Sequence, residues 1–386
     1  MVSLSKKQPE SSRKNIPFID LKSQQDKIRF QIDEAISEVL NHGKYIMGPE
    51  VSELEKYLAD YCNVKNVITC SSGTDALIMA LMSKGIGNGD AVFVPSFTFT
   101  ATPEVVALLG ATPIFVDVLP QTFNIDPESV IQGISVAKSK GLKPKTIIAV
   151  DLFGQPADYT SLEKIAEDHN LWILADAAQS FGGVLNKKKV GKLACLTATS
   201  FFPAKPLGCY GDGGALLTDN DELANILKSI RVHGKGEHKY DNIRVGLNAR
   251  LDTIQAAVLI EKMKIFDAEL KERQVVADYY NKTLKQFVEI PSIIDEAKSA
   301  WAQYTIKLPD MVNRESFISF LKSFGIPSVV YYAKPLHLQS AYKNFPTAGS
   351  LSESERLSKI VLSLPINHQE SEYISNTIKD FFKKKI

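Results

Sequence analysis

One lysine, Lys205, sits at the centre of the run Thr197 to Thr218, TATSFFPAKPLGCYGDGGALLT. The run reads as strand, tight turn, glycine-rich return and strand. Thr197 to Phe202 is β-branched and aromatic, and Pro203 and Pro206 stop the strand. Gly208, Gly211, Gly213 and Gly214 then let the backbone double back before Ala215 to Thr218. A lysine fixed on a rigid strand end among apolar neighbours is a poor solvent-facing charge and a good amine for a Schiff base. Taken alone, the run fits a surface turn lysine equally well, so residues elsewhere must decide.

Four other stretches carry candidate partners. Val67 to Cys70 reads as a strand that opens directly into SSGTDALIMALMSKG, where small polar residues start a strongly helix-forming segment. Backbone N–H groups and the positive dipole end at such a start form a phosphate cradle, with Gly73 permitting close approach and Thr74 adding a hydroxyl; ordinary N-capping is the plainer alternative. Two apolar strand-like runs, TIIAV and LWILA, end in Asp151 and Asp176. In open α/β sheets ligands lie beyond the strands' carboxyl ends, so both acids point to one region, with Asp151 also able merely to orient its loop. Phe97 and Phe99 follow a third such strand, where an aromatic can cover a flat ring or simply fill the core.

A phosphate cradle (Gly73, Thr74), an aromatic cover (Phe99), a strand-end acid (Asp176) and a strand-end lysine (Lys205) together match what pyridoxal phosphate requires. Its aldehyde condenses with a lysine, its ring nitrogen needs a carboxylate to stay protonated, and its phosphate needs amides and hydroxyls.

The elements that must position these groups are legible as well. Gln25 to Leu40 carries Ile28, Ile32, Ile36 and Leu40 at helical spacing, and Glu50 to Tyr61 reads as a second helix. From Asn66 to the glycine-rich return, strands alternate with helices, which predicts a mostly parallel, doubly wound α/β sheet. A long helix follows VGLNAR, Lys271 to Phe287 is helical, and Tyr304 to Phe381 reads as a small α+β unit. The expected division is a loose leader over residues 1–15, a large ligand-binding domain over 16–265 and a small domain over 266–386, with the first ordered residues packing back on the small one.

Composition narrows the classes. The 386 residues are 44% hydrophobic and 23% charged, and 45 basic side chains face 44 acidic ones for a net charge of +1. Nothing global favours nucleic acid or an anionic membrane. No apolar run is long enough to span a bilayer, and the polar, basic start lacks a signal-peptide core, so a cytoplasmic location is expected. The four cysteines, Cys62, Cys70, Cys195 and Cys209, show no metal-ligand spacing and fit reduced thiols, with Cys209 read as packing although it lies near Lys205. Gly85, Gly87 and Gly89 are spaced too tightly for a GxGxxG fingerprint, which argues against a dinucleotide-dependent oxidoreductase.

From Ile16 onward the chain resembles the DegT/DnrJ/EryC1/StrS family, pyridoxal-phosphate-dependent nucleotide-sugar aminotransferases of the aspartate aminotransferase-like fold type I. The resemblance rests on IDLKSQ, GPEVSELE, SSGTDALIMAL, FVPSFTFTATPEVVALLGATPIFVDV, DLFGQPAD, ADAAQSFGG, TSFFPAKPLGCYGDGGAL and GLNARLDTIQAAVL. It implies that Lys205 is the Schiff-base lysine and proton carrier, that Asp176 holds the ring nitrogen and that Gln179 reaches the ring hydroxyl. It further implies that Phe99 stacks on the ring, that Gly73, Thr74 and Ser200 bind the phosphate, and that Asn248 reaches the cofactor phosphate of the other subunit in a homodimer. A related branch replaces the lysine by histidine and removes a hydroxyl; this chain keeps lysine, which implies transamination.

The runs FFPAKPLGCYGDGGA and VGLNARLDTIQAA look most like the branch that aminates C3 of UDP-2-acetamido-2-deoxy-3-oxo-glucuronate, with glutamate as donor, for bacterial surface polysaccharides. That branch often carries His-Tyr where this chain has Tyr331 and Tyr332, and proline where it has Ala333. Acceptors linked to dTDP or GDP, oxidised at C3 or C4, therefore stay open, as does a non-catalytic regulatory member. Arg250 is a candidate for a substrate carboxylate or pyrophosphate, or a structural arginine at a helix start; His233, His238 and Lys239 could meet the nucleotide or lie in a solvated loop.

Overall fold

The computed structural model describes residues 16–238 and 240–383; the expected leader and Lys239 lie outside the described residues. In chain order, α1 (Leu21–Lys27), α2 (Arg29–His42) and α3 (Pro49–Cys62) precede β1 (Asn66–Cys70), α4 (Gly73–Ser83), β2 (Asp90–Pro95), α5 (Ala101–Leu108) and β3 (Thr112–Val116). Next come α6 (Pro127–Ser139), β4 (Lys143–Val150), α7 (Tyr159–His169), β5 (Trp172–Asp176) and two short strands, β6 (Val184–Leu185) and β7 (Lys188–Lys189). The lysine bend joins β8 (Leu196–Ser200) to β9 (Gly214–Thr218), and α8 (Asp221–Ile230) and α9 (Thr253–Leu284) follow. The chain ends with β10 (Ala297–Lys298), β11 (Tyr304–Lys307), α10 (Arg314–Ser323), α11 (Ser352–Ile360), β12 (Val361–Leu364) and α12 (Ser371–Lys383).

The central sheet has the order β1-β9-β8-β5-β4-β2-β3. Neighbours from β8 to β3 pair in parallel, and β9 runs against both β8 and β1. Near-continuous apolar strands suit a sheet covered on both faces. Successive side chains alternate between the faces, so Ile148 and Leu174 enter a core with α4, α5 and α8, whereas Ile147, Ala149 and Ile173 enter one with α6 and α7. This is the fold type I pattern expected from the strand and helix alternation. The carboxyl ends of β1, β2, β4, β5 and β8 share one edge, and the register Ser200↔Gly214 and Cys70↔Gly214 brings the return of the bend to the same edge.

α9 is one unbroken helix of 32 residues. Its first half supplies Leu259, Ile260, Met263 and Phe266 to a core with α3, β9 and the bend; its second half supplies Val276, Ala277, Tyr280 and Leu284 to a core with β11, α10, β12 and α12. Ile16 joins that second core, so the first described residues pack against the C-terminal unit as expected.

Some elements differ from the sequence reading. The helix expected over Gln25 to Leu40 breaks at Ile28, which takes φ −130° and ψ 21°, and α2 resumes at Arg29. Ile28, Ile32 and Ile36 still pack on Val258 of α9, but Leu40, read as part of the same stripe, is exposed. Val329 to Tyr332, read as part of the small unit, makes only a single bridge, Val329↔Ser363, and the strand beside β11 is β12.

Candidate active site

The bend that presents Lys205 is closed by its own peptide groups. The Phe201 amide donates to Gly213 O at 2.7 Å, the Cys209 amide to Phe201 O at 2.8 Å and the Lys205 amide to Phe202 O at 2.9 Å. Glycine is required at Gly214, where a Cβ would lie 2.4 Å from the Ser72 carbonyl oxygen. Lys205 is half-buried, and burial lowers its amine pKa, with the negative charge of Asp176 acting in the opposite sense. An amine shifted this way has more of its free-base, nucleophilic form at neutral pH.

Asp176 ends β5 and is buried. Its Oδ2 accepts from the Thr102 hydroxyl at 2.9 Å and its Oδ1 from the Ala178 amide at 3.3 Å. Burial nonetheless raises its pKa, and Lys205 lowers it. A buried carboxylate with one hydroxyl and one amide is short of a cation, which a protonated ring nitrogen would supply. Gln179, three residues on, accepts from the Phe153 amide at 2.8 Å and donates to the Tyr332 hydroxyl at 3.3 Å, so its side-chain amide is fixed in orientation beside the acid.

At the start of α4 the Ser72 hydroxyl caps the Asp75 amide at 3.0 Å, leaving the Gly73 and Thr74 amides without an intrahelical acceptor. A Cβ on Gly73 would meet Ser200 Cβ at 2.6 Å, so the structure brings Gly73 and Ser200 into contact across two strand ends. Free amides, a helix dipole and a hydroxyl at one spot fit a phosphate. Phe99 is exposed while Phe97 is buried, which separates the two aromatics: Phe97 is core, and Phe99 is free to cover a ring. Thr102, the residue that holds Asp176, stands three positions beyond Phe99 and donates its amide to Phe99 O at 3.3 Å.

Other candidates fall differently. Asp151 does not face the site, because its carboxylate is taken up by the Ala157 amide at 2.8 Å and the Tyr159 and Ser180 hydroxyls at 2.9 and 2.6 Å. It organises the loop after β4 instead. Cys209 is buried and its thiol pKa is pushed up to about 11, as a packing residue's would be. Tyr332 is joined to Gln179 and packs edge-on against Phe97, and Tyr331 lies 6.3 Å from the Phe18 ring. Asn248 is exposed and Arg250 half-buried, on either side of Ala249, whose carbonyl accepts from the Ser71 amide at 3.2 Å. His233 and His238 are exposed.

The described residues contain no cluster of side chains able to hold a metal ion, and no helix among them is long and apolar enough to cross a membrane. The DegT/DnrJ/EryC1/StrS aminotransferase family model matches residues 26–379. The chain belongs to this family. This aminotransferase is 45% identical over 358 residues to the UDP-2-acetamido-2-deoxy-3-oxo-D-glucuronate aminotransferase of Pseudomonas aeruginosa, covering 91% of this chain and 95% of that one. A crystal structure of a family aminotransferase from Brucella abortus is 50% identical, with a TM-score of 0.92, covering 95% of this chain and 99% of the other. NtdA from Bacillus subtilis, solved with bound cofactor PMP, is 31% identical with a TM-score of 0.84, covering 97% and 87% of the two chains. The aminotransferase is a pyridoxal-phosphate enzyme, and Lys205, Asp176 and the Gly73–Ser200 contact fit that cofactor.

Sequence reasoning missed Thr102, although it lies within the FTFTATPEVV run. A threonine at a helix start reads as a cap, and only the fold shows its hydroxyl on Asp176.

Proposed function

We propose that this aminotransferase transfers an amino group from glutamate to C3 of UDP-2-acetamido-2-deoxy-3-oxo-glucuronate, in the cytoplasm, on the route to a bacterial surface polysaccharide. The observation that carries the chemistry is a half-buried lysine whose pKa is lowered by burial, placed close enough to the buried strand-end carboxylate of Asp176 for the two charges to act on each other. The sugar assignment is supported by the Pseudomonas aeruginosa relative, which spans nearly all of this chain.

Bound pyridoxal phosphate supplies the electron sink for moving an amino group. In this reading Asp176 keeps the ring nitrogen protonated, with Thr102 holding the carboxylate in place. Gly73, Thr74 and Ser200 bind the phosphate, Phe99 covers the ring and Gln179 reaches its hydroxyl. Lys205 Nζ carries the proton between the substrate carbon and the cofactor. Tyr331, Tyr332 and Arg250 bind the acceptor. We assign Asn248 to the phosphate of a second subunit's cofactor, so that the working unit is a homodimer; the exposed apolar side chains of Ile243 and Val245, on the same loop, support an interface there.

A second acceptor class, a dTDP- or GDP-linked 3-oxo or 4-oxo-6-deoxyhexose, is favoured by Tyr331 standing where the glucuronate branch often has histidine. Incubating purified protein with glutamate and a panel of keto-sugar nucleotides separates the two. Amination confined to the 3-oxo-glucuronate supports the first reading, and amination of the deoxyhexoses alone overturns it. A protein that takes up no pyridoxal phosphate would return the regulatory alternative to the front.

A further inference from the structure

We infer that Lys262 is a positioning residue for Lys205, fixing the catalytic bend by gripping its return peptide. Lys262 stands on α9, is 2% exposed, and has no carboxylate within 4.0 Å among the described residues. Its ammonium donates to Gly208 O at 2.6 Å and lies 4.5 Å from the Tyr210 ring centroid. Both contacts are with the segment that returns from Lys205.

That segment is packed closely against the residues before Lys205. A Cβ on Gly208 would lie 2.4 Å from Pro203 O and 2.7 Å from Phe202 O, so the return strand lies directly on the peptide groups that precede Lys205. The carbonyl oxygens of Phe202 and Pro203 are thus crowded close to Gly208, whose own carbonyl meets the ammonium of Lys262. A buried ammonium without a carboxylate carries a desolvation cost that methionine in the same volume would avoid. What lysine supplies instead is a charge-assisted hydrogen bond that sets where the bend closes. Burial lowers the Lys262 pKa to about 8, with Glu269 and the Cys209 thiol, the other titratable groups acting on it, raising it. Because the far half of α9 belongs to the second core, the grip also ties the bend to the helix shared by both cores.

The inference rests on Lys205 being the reacting amine. The test compares holoenzyme carrying Lys262→Met, Lys262→Gln and Lys262→Arg. Lys262→Met is expected to lose roughly ten- to hundredfold in kcat, the scale of a small misplacement of a reacting group, with the KM of each substrate within about twofold. Lys262→Arg, which keeps a charged donor, should recover most of the loss. The second readout is the pH midpoint of the visible absorbance band of the bound cofactor, expected to move by about half a unit or more in Lys262→Met and to return in Lys262→Arg. If Lys262→Met does not fold, Lys262→Gln, a neutral donor, should show both changes in weaker form. Unchanged kcat and midpoint in a folded Met or Gln variant overturn the inference. So does a kcat loss accompanied only by a lower melting temperature, with the midpoint fixed. Borohydride attachment of the cofactor to a lysine other than Lys205 in the unmodified enzyme would instead overturn the assignment of Lys205 itself.

Discussion

The Thr102 hydroxyl donates to Asp176 Oδ2 at 2.9 Å, joining the helix after β2 to the end of β5. Burial pushes the Asp176 pKa up and this hydrogen bond holds it down. Thr102→Val removes the donor at constant shape, so the carboxylate becomes harder to ionise. A hydrogen bond to a charged group contributes about 1.5–3 kcal/mol, so cofactor affinity should fall roughly tenfold or more. The acid limb of the kcat/KM profile should move to higher pH. Thr102→Ser should behave as the unmodified enzyme; equal cofactor affinity in the valine and serine variants would show that the bond does not support Asp176.

Asp151 offers a pH signature separate from catalysis. Burial raises its pKa to about 7 against an ordinary 3.8. The folded protein therefore binds this proton more tightly than the unfolded chain, and stability is lost as pH rises from the unfolded value through the folded one. The shift of about three units corresponds to about 4 kcal/mol lost between roughly pH 4 and 7. Asp151→Asn can still accept from Ala157 and Tyr159 while its amide faces the Ser180 hydroxyl, which can reverse its role. Melting curves across that range should show the asparagine variant gaining on the parent as pH rises. A constant difference between the two would place the Asp151 pKa near its ordinary value.

Gly73→Ala tests the cradle. The added Cβ would lie 2.6 Å from Ser200 Cβ and 3.2 Å from its Cα, so strand end and helix start must separate. Overpacking of this kind costs about 1–3 kcal/mol. Stability should fall by that order, and cofactor should dissociate on dialysis. Adding Ser200→Gly removes the opposing Cβ and should restore melting temperature but not cofactor retention, since the hydroxyl is lost with it. If the double variant regains both, Ser200 contributes only space.

The sheet and the order of the lysine, acid and glycine positions were legible because each depends on local signals: apolar runs ended by turn residues, and small residues opening a helix. Lys205, Asp176 and Gly73 are of this kind. Pairings across the fold were not legible. Nothing in the sequence near Asp151 says that Tyr159 and Ser180 will take up its charge, so the strand-end pattern it shares with Asp176 left its two readings open, and the fold selects the one in which it orients its loop. The apolar stripe through Leu40 failed for a similar reason. Helical spacing identifies a face, but the break at Ile28 decides how far that face follows α9.

Lys205→Met separates the amine from the fold. The backbone of the bend is closed by peptide hydrogen bonds that do not involve the side chain, so the variant should fold. In the parent without cofactor, burial lowers the Lys205 pKa below its ordinary 10.5. The folded state then binds this proton less tightly than the unfolded chain, which opposes folding below the folded pKa and relaxes as pH rises toward 10.5. Cofactor-free Lys205→Met should accordingly melt at or above the parent at neutral pH, the gap narrowing at alkaline pH. With cofactor and both substrates, turnover should fall by more than about a thousandfold, since nucleophile and proton carrier are lost together. Borohydride should attach no cofactor to the protein. Substantial steady-state amination by Lys205→Met would remove the lysine from the chemistry, whatever the melting curves show.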